Sequence, residues 1–160
     1  MPRAYILWLV GLGAVVSFLP RTEAQTQPPR TVVFVCEHGA AKSVLSAAYF
    51  NKLAKQQHLN VHAIARGTTP QQDVSATVAQ GLQADKVSSE TKRPRQLSEA
   101  DAKGALRIVA FCELPEKYSR LAPVENWKDV PGTSDGYAAV RDAVLKHMKS
   151  LLEDLRAGRR

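Results

Sequence analysis

Apolar positions run along this chain in two rhythms that alternate. Thr31-Val32-Val33-Phe34-Val35 is continuous, apolar and β-branched, the pattern of a strand covered on both faces. Ser43 to Gln57 instead sets Val44, Ala47, Ala48 and Leu53 on one side of a helix. Val61 to Ala65 predicts a second strand, ended by Arg66-Gly67-Thr68, and Asp73 is placed to cap a helix carrying Val74, Val78 and Leu82. Leu106 to Phe111 reads as another buried strand. In the last helix, with Asp135 as its candidate cap, Val140, Val144, Met148, Leu151 and Leu155 recur at helical spacing. Strand and helix in alternation predict an α/β fold: a single domain over residues 31–156, built on an open parallel sheet of about four strands with helices on both faces. Residues 25–30, with their paired prolines, read as a linker into it.

Upstream of the linker, Met1-Pro2-Arg3 leads into an uncharged apolar run from Ala4 to Leu19, and Thr22 and Ala24 put small residues at the positions a signal peptidase reads. The run falls short of the roughly 20 residues that a membrane span needs. Residues 1–24 therefore read as a signal peptide, with an uncleaved N-terminal anchor as the alternative. Either one places the domain outside the cytoplasm, periplasmic or secreted, and only the anchor gives it a membrane contact.

Composition narrows the function classes. Hydrophobic residues make up 44% and charged residues 23%, a globular balance. The formal charge of +7, from 22 Lys+Arg against 15 Asp+Glu, points to anionic partners without choosing among them. Cys36 and Cys112 are too few for a disulfide scaffold and lack zinc-finger spacing. His58, His62 and His147 have no ligand spacing, so neither a metal nor another cofactor is expected. Lys92-Arg93-Pro94-Arg95 reads as a solvated basic loop. With aromatic residues at 6% there is no stacking platform, and no nucleic-acid partner is expected.

The candidate chemistry lies where the first strand meets the first helix. Ligands of open parallel sheets bind beyond the carboxyl ends of the strands, and the first strand-to-helix turn is the usual anion site. Here that turn is Cys36-Glu37-His38-Gly39-Ala40-Ala41-Lys42-Ser43: a cysteine opens it, small residues fill it, and a cation and a hydroxyl close it. Backbone N–H groups in such a loop turn inward, and the helix start adds partial positive charge. The same field favours the thiolate form of a cysteine beside it. The glycine pair and Gly-Lys of a nucleotide-binding P-loop are missing, so that reading fails.

The loop resembles the Cys-x5-Arg-Ser loop of low-molecular-weight protein-tyrosine phosphatases and their relatives, the thioredoxin-coupled arsenate reductases. His38-Gly39 is similar to the His-Asn of the reductase branch, and Ser43 to Asn51 looks like the family's first helix. Ala65-Arg66-Gly67-Thr68-Thr69-Pro70 resembles its Ser-Ala-Gly-Thr-x-Pro segment, and Asn126 to Pro131 its Trp-plus-acid loop. The resemblance implies hydrolysis of phosphate monoesters, of the protein phosphotyrosine type, through a phosphocysteine on Cys36. Ser43 would stabilise the thiolate, and the amides from Glu37 through His38, Gly39, Ala40, Ala41 and Lys42 to Ser43 would hold the phosphate oxygens. Gly39 stands where the family has an Asn in a left-handed conformation. A carboxylic acid from the loop before the last helix, Asp129 first and Asp135 second, would protonate the leaving group, a contribution of roughly 10²–10⁴-fold. Tyr118 and Tyr137 fall where the family has aromatic residues beside its site.

The chain departs from that pattern in places. Lys42 replaces an arginine whose planar fork grips two oxygens, and an ammonium has no such geometry. Arg66, at the end of the second predicted strand, is placed to supply the missing guanidinium. Gly132 occupies one plausible position for the acid. Cys112 looks like the first resolving cysteine of the reductases, but Glu113 to Arg120 holds no third cysteine. It is read either as a buried strand-end thiol or as the partner in a Cys36–Cys112 disulfide. Two functions therefore stand beside the phosphatase: arsenate reduction by Cys36 and Cys112 with an external thiol, and an oxyanion-binding module whose turnover Lys42 has weakened.

Overall fold

A computed structural model describes residues 28–159, so the predicted signal peptide lies outside the described residues. The strands are β1 (Arg30–Cys36), β2 (Val61–Gly67), β3 (Ala105–Ala110) and β4 (Val124–Asn126), all parallel, in the spatial order β2-β1-β3-β4. The helices are α1 (Lys42–Gln56), α2 (Ala76–Ala84), α3 (Glu99–Gly104), α4 (Glu116–Ser119) and α5 (Tyr137–Arg156). The chain steps from β1 to one neighbour and returns past it to the other. The order thus reverses at β1, and a crevice opens beyond its carboxyl end.

β1 is apolar from Val32 to Cys36 because it is covered twice there. Val32, Phe34 and Cys36 pack with residues of α1, α2 and α5, whereas Val33 and Val35 pack with Ile108, Ala102 of α3 and Tyr118 of α4. Period-two alternation sends successive side chains to opposite faces, and here both faces carry helices. The expected architecture is the observed one.

Two predicted helix caps shift. The cap of α2 is Ser75, whose hydroxyl accepts from the N–H of Val78, and not Asp73. The N–H of Ser75 donates to the carbonyl of Ala40 at 2.9 Å, and this tertiary bond sets where α2 can begin. Asp135 does not cap α5. It ends a short 3₁₀ turn (Thr133–Asp135), and Gly136, at φ +94°, redirects the chain before the helix starts.

β2 is an edge strand, and unpaired edges invite association with other chains. Asn51 of α1 covers it: its side-chain amide donates to the Ala63 carbonyl at 3.0 Å and accepts from the Ala63 N–H at 2.7 Å, as a neighbouring strand would. Further along, Gly67 exchanges backbone bonds with Arg95 and Leu97. At the other end of the sheet, β4 leads into a strap, residues 127–133. Trp127, almost fully buried, anchors the strap against Phe34 and Phe111, and its indole N–H donates to Glu125.

Candidate active site

The turn after β1 is held from outside. The carbonyls of Cys36, Glu37, His38 and Ala40 accept from the N–H groups of Thr68, Thr69, Gln71 and Ser75 at 3.2, 2.8, 3.0 and 2.9 Å. Among the described residues, no backbone carbonyl accepts from the N–H groups of Glu37 through Ser43. A loop with these four carbonyls engaged on its outer side presents its amides on the inner one. Ala41 precedes α1 without any side-chain cap, which leaves the first-turn donors of a 15-residue helix facing the same space. That is a cradle for an anion.

Two glycines let the loop close this far. Gly39 sits at φ +60°, and a Cβ there would lie 2.8 Å from the Gly67 nitrogen. A Cβ on Gly67 would in turn lie 2.7 Å from the Gly39 nitrogen. The end of β2 and the loop therefore touch backbone to backbone.

The side chains come together around a cavity of about 430 Å³ lined by Cys36, Lys42, Phe111, Cys112, Gly132 and Thr133, with Glu37, His38, Ala40, Ala41, Gln71 and Ser75 completing the wall. The Cys36 Sγ lies 3.1 Å from the hydroxyl of Ser43, which is fully buried and placed to donate to a sulfur anion. Lys42, the first residue of α1, reaches across the cavity. Its ammonium donates to the Val130 carbonyl at 3.3 Å and rests 5.7 Å from the centre of the Phe111 ring. Glu37 and His38 are more than half exposed at the rim, 4.0 Å apart. Both cysteines are free thiols. Burial pushes the Cys112 thiol above its ordinary value and the neighbouring Cys36 adds to this, with a Thr68 hydrogen bond opposing.

Five of the predicted residues lie elsewhere. Arg66 does not reach the cradle. It stands opposite Val35 in the β1–β2 register, on the face away from Cys36, and binds both oxygens of Asp101 at 2.9 Å. Asp129 is not on the cavity wall; it accepts from or pairs with His147 Nε2 at 2.8 Å, and this contact, ahead of any other, holds its carboxyl below the usual range. Asp135 is likewise absent from the wall. The strap brings Gly132 and Thr133 there instead. Tyr118 and Tyr137 are both remote: Tyr118 donates to the Leu97 carbonyl inside the α3–α4 face, and Tyr137 joins Tyr49, Asp85 and Arg141 between α1, α2 and α5.

Gln71, Ser75, Phe111 and Thr133 were not expected at the site. The first two belong to the segment that clamps the cradle. Phe111 directly follows β3, the strand adjacent to β1, so the rule that ligands sit beyond strand carboxyl ends was the signal available for it. Among the described residues, no group of three His, Cys, Asp or Glu side chains is arranged to hold a metal ion.

A thiol at the carboxyl end of the central strand, beneath a helix start and a loop whose amides bond to no backbone carbonyl, marks a parallel α/β protein with a cysteine at its crevice. The chain belongs to the low molecular weight phosphotyrosine protein phosphatase family, whose model matches residues 31–130. Among solved structures, YfkJ from Bacillus subtilis is 18% identical with a TM-score of 0.71, over 82% of this chain and 98% of that one. A product-state mimic of the protein tyrosine phosphatase from Entamoeba histolytica is 18% identical at a TM-score of 0.69, over 81% and 97%. The arsenate reductase from Archaeoglobus fulgidus is 25% identical at 0.58, over 78% and 97%. Comparison with curated proteins gives no match.

Proposed function

We propose that this protein is a cysteine-dependent phosphatase that hydrolyses phosphate monoesters, those of the protein phosphotyrosine type included, through a phosphocysteine on Cys36. The observation that carries this reading is the Cys36–Ser43 contact at 3.1 Å on the floor of an amide-lined cradle. The phosphoryl group would sit with its oxygens on the N–H groups of Glu37 to Ser43, the Lys42 ammonium balancing their charge and the sulfur below phosphorus. Attack forms the S–P bond as the ester P–O bond breaks, and water then releases phosphate and returns the thiolate. Ser43 stabilises the sulfur anion both before attack and on its return. Export of the domain, by the signal in residues 1–24, is part of the proposal and is checked by the mass of the mature protein.

Release of p-nitrophenol from p-nitrophenyl phosphate by the wild type, lost in Cys36→Ser, is the expected result. If Cys36→Ser keeps the activity, the reading fails. If neither form turns over substrate but both bind phosphate, the chain is an oxyanion-binding module. A second reading, arsenate reduction, is favoured by one observation: Cys112 opens on the same cavity as Cys36. Arsenate-dependent consumption of an external thiol, requiring both cysteines, distinguishes it.

A further inference from the structure

A second cavity, of about 600 Å³, is formed by α2, the segment that follows it and Val44 of α1, and it shares no lining residue with the cavity that holds Cys36. Its size falls within the ~300–1,000 Å³ of small-molecule sites. Val44, Leu82 and Val87, all but fully buried, make an apolar floor, and half-buried Val74 adjoins them. Lys86 and Lys92 stand exposed on the wall. Neither ammonium has an ion-pair or hydrogen-bond partner among the described residues, and the wall carries no carboxylate. The acids that adjoin these lysines in sequence are engaged elsewhere. Asp85 accepts from Tyr49 and Tyr137 and pairs with Arg141, and Glu90 turns to His62 at 3.4 Å. An apolar floor under two unpaired cations is complementary to a molecule with a hydrocarbon body and a negative head.

One of the two cations is held where a side chain is least favoured. The carbonyls of Leu82 and Gln83 accept from the N–H groups of Val87 and Lys86 at 2.8 and 3.1 Å, a helix stop that normally calls for glycine just beyond the last turn. The residue there is Lys86, at φ +52°. Glycine would adopt this backbone freely, whereas the lysine adds an ammonium to the cavity wall at the expense of strain. We infer that the cavity binds a monocarboxylate with a medium-length apolar tail, an inference that does not depend on the phosphocysteine reading. The tail lies on Val44, Val74, Leu82 and Val87, where it leaves water. The carboxylate takes charge-assisted hydrogen bonds from Lys86 and Lys92. The C-terminal end of α2 adjoins the same wall, and its partial negative charge disfavours a doubly charged head such as phosphate.

The test titrates octanoate into the full chain by calorimetry, with acetate, which lacks the tail, and 1-octanol, which lacks the charge, as comparisons. Octanoate should bind one to one, at least ~10-fold tighter than either. Lys86→Gly should weaken octanoate by ~10-fold and leave octanol unchanged. Its melting midpoint should hold or rise, because glycine takes φ +52° without strain. A lysine serving only the fold could not produce that pairing of weaker binding with undiminished stability. Ala79→Trp, at an exposed position of α2 on the wall, should fill the cavity and abolish binding of octanoate and octanol alike, with a melt close to wild type. Octanoate that inorganic phosphate displaces would be sitting in the cradle beside Cys36, and the inference is then overturned. Equal octanoate affinity in wild type and Lys86→Gly overturns it, as does a titration that never saturates or an Ala79→Trp protein that still binds. A lower melting midpoint for Lys86→Gly overturns the role given to that lysine.

Discussion

On the resemblance to the phosphatase loop Lys42 stands in for an arginine fork, and its single ammonium donates to the Val130 carbonyl and rests 5.7 Å from the centre of the Phe111 ring. Interactions that strengthen only in the transition state raise kcat, and a bidentate fork is better suited to that than a point charge. Lys42→Arg is therefore expected to raise kcat for p-nitrophenyl phosphate by ~10-fold, about 1.4 kcal/mol, while inhibition by inorganic phosphate changes less; steady-state kinetics with phosphate as inhibitor measures both. Ser43→Ala removes a buried bond to the sulfur. Hydrogen bonds to charged groups are worth about 1.5–3 kcal/mol, so kcat/KM should drop by roughly 10–100-fold, with slower alkylation of Cys36 by iodoacetamide as an independent readout. The residues of the turn were legible because they are contiguous: cysteine, small residues, cation and hydroxyl are one stretch of chain. Arg66 was misplaced because its position at a strand end was read without its parity. Opposite Val35, it belongs to the face of α3, where Asp101 meets it. Gln71 and Thr133 were illegible because each is polar, unremarkable in its local sequence, and brought to the cavity by tertiary contacts.

Among the elements, α1 joins the site to the sheet edge: its first turn faces the cradle and its third carries Asn51. Replacing Asn51 by Leu leaves the Ala63 N–H and carbonyl without their side-chain partners. The expected cost is about 1–3 kcal/mol, read from the urea midpoint, together with concentration-dependent association through the uncovered edge. Helix α2 contains Gly81, whose absent side chain leaves room for the Tyr137 ring; a Cβ there would lie 2.4 Å from that ring. Helix propensity alone favours Gly81→Ala by about 1 kcal/mol, but the clash forces a rearrangement costing about 1–3 kcal/mol and pulls on the Tyr49–Asp85–Tyr137 contacts. Net destabilisation is expected in a thermal melt, and Tyr137→Phe, which keeps the ring, should not relieve it. Periodicity exposed the long elements well. It missed β4, whose three residues Val-Glu-Asn are too short for any period, and it misassigned both caps because Ala40 and Gly136, rather than a nearby carboxylate, decide where α2 and α5 begin.

For the molecule as a whole, the alternation of buried strands and amphipathic helices was enough to predict a parallel sheet with two covered faces, since few other architectures bury a run such as Val32 to Val35. Acid stability is a property at this scale. Burial would raise the carboxyl of Asp101, but the Arg66 and Ser98 hydrogen bonds outweigh it and hold the group below the usual carboxylate range. A depressed carboxylate binds fewer protons folded than unfolded, so its contribution is present above pH ~4 and is lost as the pH falls through the lower folded value. Urea midpoints measured from pH 6 down to 3 should fall for the wild type, and Asp101→Asn should be weaker at pH 6 and flatter over the same range. The bonds around the cradle carry a wider lesson about heritable change. Its shape is maintained by residues 67–75, which grip it at both glycines and at four carbonyls, whereas the strap is hydrogen-bonded to it through one lysine. Selection can thus rewrite residues 128–135, gaining or discarding a proton donor, without disturbing how an oxyanion is held. On the phosphatase reading, proteins built this way can exchange the leaving groups they accept while the grip on phosphorus stays as it is.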